Sequence, residues 1–106
     1  MTLKELLKKD FDADLQISGG FGNSIDNCII IHKTHKNDHV AIEYYILECL
    51  GIGRGIEWKR IEQSLLNDKN RMIDKLKIET TQLTDTEIIT QIENYYFDIT
   101  ECYGHK

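Results

Sequence analysis

Glycine placement limits this chain more than any other feature. Six of its seven glycines fall in two short clusters, Ser18-Gly19-Gly20-Phe21-Gly22 and Gly51-Ile52-Gly53-Arg54-Gly55. Such clusters mark sharp turns, or places where another group touches the main chain. Between them lies the most strand-like stretch of the sequence. Ile25 to Lys33 holds Ile29, Ile30 and Ile31 in succession, and a run apolar on both faces predicts a buried central strand. Thr34 to Asp38 is polar and rich in turn formers. His39 to Leu50 then predicts a second strand, with Val40, Ile42, Tyr44 and Ile46 on one face and Ala41, Tyr45, Leu47 and Cys49 on the other. Two strands joined by so short a link should pair antiparallel. That register sets Asn23 near Leu50 and brings the glycine clusters together.

The flanks are also patterned. Thr2 and Glu5 have capping-box spacing ahead of Leu3, Leu6 and Leu7, which predicts a helix from Leu3 to Lys9. Asp10 to Ser18 reads as a connector. Ile56, Trp58, Ile61 and Leu65 fit a helix, or a strand whose phase slips near Arg60 at a bulge. Asn67-Asp68-Lys69-Asn70 is a turn signal, and Leu76, Ile78 and Thr80 alternate with charged neighbours. A hairpin across the Asn67 turn reconciles both halves, so strands are expected. Thr84 and Glu87 repeat the capping-box spacing, with Leu83 and Ile88 at staple positions. A last helix is expected there, continued by Ile88, Ile92 and Ile99 and capped by Gly104. The aromatic, β-branched run Tyr95 to Ile99 argues for an extended tail after Asn94. The expected fold is one α+β domain over residues 1–106. It has a meandering antiparallel sheet of about four strands, with N-terminal and C-terminal helices packed on one face.

Charge and cysteine usage narrow the function classes. The net charge is −5, and the basic residues are scattered among acids. A nucleic-acid binder would show a basic stripe, so no nucleic-acid partner is expected. An acidic surface suits docking onto a basic protein. Cys28, Cys49 and Cys102 are odd in number and far apart, with no CxxC pair. That argues against a disulfide framework or zinc knuckle and fits a reducing cytoplasm. No secretory signal or membrane-length apolar run is visible in the sequence, so no membrane partner is expected.

The glycine clusters are the first candidate site. Successive N–H groups in such loops can cradle an anion. A phosphate loop needs strand, glycines, then helix, and this order differs, which argues against a nucleotide site. Gly20, Phe21, Gly22, Gly53, Arg54 and Gly55 would line a small-molecule or anion site, with the Arg54 guanidinium meeting a carboxylate or phosphate. The plainer alternative is a pair of turns and a solvated arginine. His32, His35 and His39, beside Asp38, could bind zinc or nickel, or could be a solvated hairpin tip. Cys28 and His32 would share a strand face roughly 13 Å apart, too far for a catalytic dyad. Asp12/Asp14 and Asp26/Glu43 are carboxylate pairs that chance alone explains. Trp58, Tyr95, Tyr96, Phe97 and Tyr103 suit either a core or an interface.

Leu15-Gln16-Ile17-Ser18-Gly19-Gly20-Phe21-Gly22 and Phe97-Asp98-Ile99-Thr100-Glu101-Cys102-Tyr103-Gly104 resemble signatures of small bacterial proteins of uncharacterised activity. In that group an Ile-Ser-Gly-Gly-aromatic-Gly stretch precedes a strand and a Phe-Asp-Ile…Tyr-Gly stretch closes the chain. Gly55-Ile56-Glu57-Trp58 also fits. The resemblance implies strands over Ile56 to Leu66 and carries no activity with it.

The leading expectation is therefore a small acidic cytoplasmic interaction module without catalysis. It would be of an immunity or adaptor type, covering a basic partner with its edges and the Gly51–Gly55 loop; a homodimer stays open. The alternative is a small-molecule or anion-binding domain, with or without enzymatic activity, sited where the glycine clusters meet. No cofactor is expected.

Overall fold

The computed structural model describes residues 1–33 and 38–102. The order is α1 (Leu3–Phe11), β1 (Ile17–Gly19), β2 (Ile29–Ile31), α2 (His39–Arg54), β3 (Glu57–Asp68), β4 (Arg71–Leu83) and β5 (Ile88–Asp98). The strands form one five-stranded sheet ordered β1-β2-β5-β4-β3. β2 and β5 run parallel, and the other neighbours run antiparallel. The fold is α+β, as expected from sequence, but the sheet is mixed rather than an antiparallel meander of four strands.

α1 forms where the capping box foretold it. The Glu5 N–H donates to Thr2 Oγ1 at 3.2 Å, and the Thr2 N–H donates to Glu5 Oε1 at 2.9 Å. The helix runs two residues beyond Lys9 and is capped by Asp12, whose φ of 52° is left-handed.

The second expected strand is a helix. α2 spans sixteen residues, capped by Asp38 Oδ1 accepting from the Ala41 N–H at 2.7 Å. Gly55 closes it with φ 69°. The second glycine cluster is thus the end of a helix rather than a loop. A methyl group on Gly51 would stand 3.1 Å from the Trp58 ring, so the bare position lets β3 start against the helix.

β3 and β4 form the hairpin expected across Asn67–Asn70. Lys69 and Asn70 both have positive φ, as a two-residue type I′ turn requires. The register shifts between Arg60 and Glu62, where the slip was expected.

The expected C-terminal helix is strand β5. Thr84 does cap, with Oγ1 accepting from the Thr86 and Glu87 N–H groups at 3.3 and 3.0 Å. The Thr84 N–H also donates to the Glu87 carbonyl at 2.9 Å. Those bonds close a β-hairpin loop instead of opening a helix. Gly104 lies outside the described residues.

Both helices lie on one face. Leu3 and Leu7 of α1 and Ile42, Ile46, Leu47 and Cys49 of α2 bury against Ile17, Ile29, Ile31, Leu76, Ile78 and Phe97 of the sheet. Burying a side chain of this kind contributes about 1.5–3 kcal/mol. The molecule measures 50 × 29 × 22 Å. Among the described residues, no helix is long and apolar enough to cross a membrane.

Candidate functional site

Three chemically distinct clusters and one bare surface stand out. The first lies on the sheet face opposite the helices, where β1, β2 and the turn after β5 converge. The β1–β2 register pairs Ser18 with Ile30, and the His32 N–H continues the ladder to the Gln16 carbonyl at 2.9 Å. Alternation puts the Ser18 and His32 side chains on one face. Ser18 Oγ lies 2.8 Å from His32 Nε2, and Glu101 Oε2 lies 2.6 Å from His32 Nδ1. The turn bearing Glu101 is tied down. The Thr100 N–H and hydroxyl donate to Asp98 Oδ1 at 3.0 and 2.6 Å, and the Met72 N–H donates to Thr100 Oγ1 at 3.0 Å. A carboxylate accepts only, so Glu101 holds a proton on Nδ1, and in the neutral ring Nε2 accepts from the Ser18 hydroxyl. The sequence gives no hint of this grouping, because Glu101 is 69 residues from His32.

The second cluster gathers around Tyr95. Arg54 pairs bidentately with Glu93 at 2.7 and 2.6 Å, and donates to Tyr95 Oη at 3.2 Å. Hydrogen bonds from Arg54 hold the Glu93 carboxyl below its ordinary value. A methyl group on Gly22 would stand 3.4 Å from the same tyrosine ring. Tyr95 thus neighbours Gly22 through its ring and the Arg54 side chain through its hydroxyl, while the hairpin that was expected to join the two glycine clusters does not form. Gly20 and Gly22 form tight turns against Asn27, with N–H to carbonyl distances of 2.9 Å from Gly20 to Cys28 and 2.8 Å from Gly22 to Asn27. Phe21 is exposed. Gly53 and Gly55 end α2. An anion reaching Arg54 would have to displace a carboxylate that already satisfies its fork.

The third cluster is buried. Glu43 of α2 is fully enclosed, and among the described residues neither carboxyl oxygen has a hydrogen-bond partner. Burial first, then the neighbouring carboxyls of Asp74 and Asp38, push its pKa up to about 10. Glu43 is thus neutral at pH 7. Asp74, also buried, accepts from Gln63 Nε2 at 2.8 Å. Glu43 belongs with Asp74 rather than with Asp26. Sequence periodicity could not show this, because it read Glu43 on a strand.

The three thiols are unsuited to nucleophilic work. Burial raises the pKa of Cys28, Cys49 and Cys102, and the thiolate is the reactive form. Among the proposed metal ligands, His32 is held by Ser18 and Glu101, and His39 opens α2. His35 lies outside the described residues. Among the described residues no group of three or more His, Cys, Asp or Glu side chains is placed to hold a metal ion.

The bare surface is the β4–β5 hairpin tip. Leu83, Ile88 and Ile92 are 72%, 67% and 51% exposed. Leu83 pairs with Ile88, and Ile92 lies four residues beyond Ile88 on the same face. The only charged residues from Gln82 to Ile92 are Asp85 and Glu87.

No family model matches the chain, and no curated protein or solved structure is significantly similar to it.

Proposed function

We propose that the chain is a small interaction module of the immunity or adaptor kind, docking on a basic protein through the β4–β5 hairpin tip. The observation that carries this reading is the apolar pair Leu83 and Ile88, exposed and flanked by Asp85 and Glu87, with no basic residue in the sequence from Gln82 to Ile92. Exposed apolar residues with a polar rim mark contact sites. The acidic rim favours a basic partner by steering and by rejecting acidic surfaces. A cytoplasmic setting suits two buried free thiols and one half-buried one.

A photo-reactive residue at position 88 in the expressing cell tests this. One discrete adduct with a basic protein is expected, weakened by high salt and lost in Leu83→Asp. The same residue at exposed position 9 on α1 gives the background. Adducts at 88 that match that background would sink the proposal. An adduct with a second copy of the chain would replace the heterologous partner by a homodimer.

A further inference from the structure

We propose that Ser18 is an acyl-accepting nucleophile, activated by His32 and supported by Glu101, and that the chain hydrolyses short-chain carboxylic esters at this site. This goes beyond the docking surface and does not depend on it. Three observations converge. Ser18 Oγ is 2.8 Å from His32 Nε2, within reach for proton transfer. Glu101 Oε2 is 2.6 Å from His32 Nδ1, which fixes the ring and its tautomer. This is the nucleophile, base and orienting carboxylate order that acyl transfer requires, here built on a sheet face.

The third observation concerns the developing oxyanion. The Gly20 N–H bonds the Cys28 carbonyl and the His32 N–H bonds the Gln16 carbonyl. Strand alternation therefore turns the intervening Gly19 N–H away from β2. Among the described residues β1 ends the sheet, so that N–H faces the outer edge beside the nucleophile. The donor one residue after a nucleophilic serine is a usual oxyanion ligand. A Cβ on Gly19, where φ is 88°, would stand 2.5 Å from the Cys28 carbonyl oxygen on the β2 side, so glycine is what lets β1 keep this backbone beside β2. Ser18 is exposed and Glu101 is half exposed on its side chain, so the site grips little of an acyl chain. That is why the substrate class is a short ester.

The chemistry balances without a cofactor. Ser18 Oγ attacks the acyl carbon as its proton passes to His32 Nε2. The C–O bond to the leaving group breaks, and the departing oxygen takes that proton. Water, deprotonated by His32, then attacks the acyl-serine. Ser18 leaves with the proton restored, giving acid and alcohol.

The test uses the purified chain, a fluorophosphonate probe and p-nitrophenyl acetate. The expected result is a phosphonyl adduct on Ser18, with exposed Ser24 as the internal control. Ester hydrolysis should vanish in Ser18→Ala and fall roughly hundredfold in His32→Gln. Glu101→Gln acts as a positioning change, lowering kcat while leaving KM unaltered. Ser18→Cys keeps a nucleophile in place and should still form an acyl adduct, which separates lost chemistry from lost fold. The proposal is overturned if Ser18 is labelled no more than Ser24, or if folded Ser18→Ala hydrolyses the ester like the parent.

Discussion

The β4–β5 hairpin has a covered end and a projecting end built from the same two strands. At the covered end Leu76, Ile78 and Phe97 are buried under the helices. At the projecting end Leu83 and Ile88 pair across the ladder with the same alternation and stay in water. Register is therefore not a consequence of burial in the outer half. It is held there by the ladder and by the Thr84 loop bonds, which are local. The covered end should carry the stability, and the projecting end should be nearly free to serve recognition.

Substitutions can break that comparison, and the largest effect belongs to the covered end. Phe97→Ala should cost about 3–5 kcal/mol in urea unfolding, since it opens a cavity under a fully buried ring. A cost near that of a surface change would mean the helices do not seal this end. Next comes Glu43. Its folded pKa is raised, so its contribution is present in acid and is lost as pH rises from the ordinary carboxyl value toward about 10. Between pH 6 and 8 the unfolding free energy should fall by up to roughly 1.4 kcal/mol per unit. In Glu43→Gln that slope should flatten, as followed by denaturant titration at several pH values.

Backbone changes come third. Gly22→Ala forces a side chain onto φ 86° and within 2.9 Å of Ile29 Cδ1, so a loss of roughly 1–3 kcal/mol is expected. Gly55→Ala has the same sign of φ but open space around it, and should cost only about 1 kcal/mol. A thermal midpoint series on both separates strain from crowding. The smallest stability effect should come from the projecting end. Leu83→Ser with Ile92→Ser should stay within roughly 0.5 kcal/mol of the parent, yet remove the adduct that the photo-reactive residue at position 88 forms with the partner. A large loss of stability would show that the tip is buried in solution, as in a self-associated form.

Local chemistry was legible in the sequence, and long-range choice was not. Thr2 with Glu5, the Asn67–Asn70 turn and the slip at Arg60 each depend on a few adjacent residues, and each appears as expected. His39 to Leu50 is apolar on nearly every side, so periods of two and 3.6 fit equally. Asp38 and Gly55 were the deciding signals, as N-cap and C-cap of α2, but Asp38 also reads as a turn former. Thr84 and Glu87 made their local bonds as patterned, while the aromatic run Tyr95 to Phe97 pairing with β4 decided for strand. The Ser18–His32–Glu101 chain joins β1, the end of β2 and the turn after β5. No spacing rule spans that assembly.

β5 lies between β2 and β4 and is the last strand to be made. During vectorial synthesis β1–β2 and β3–β4 can each close early, yet neither has its central neighbour. The two ribbons stay unjoined until Phe97 and Asp98 emerge to pair with Ile29 and Ile30. Such distant pairing raises contact order and slows folding. A chain stalled before residue 88 would leave β2 and β4 as two further exposed strand edges, which are templates for misassociation.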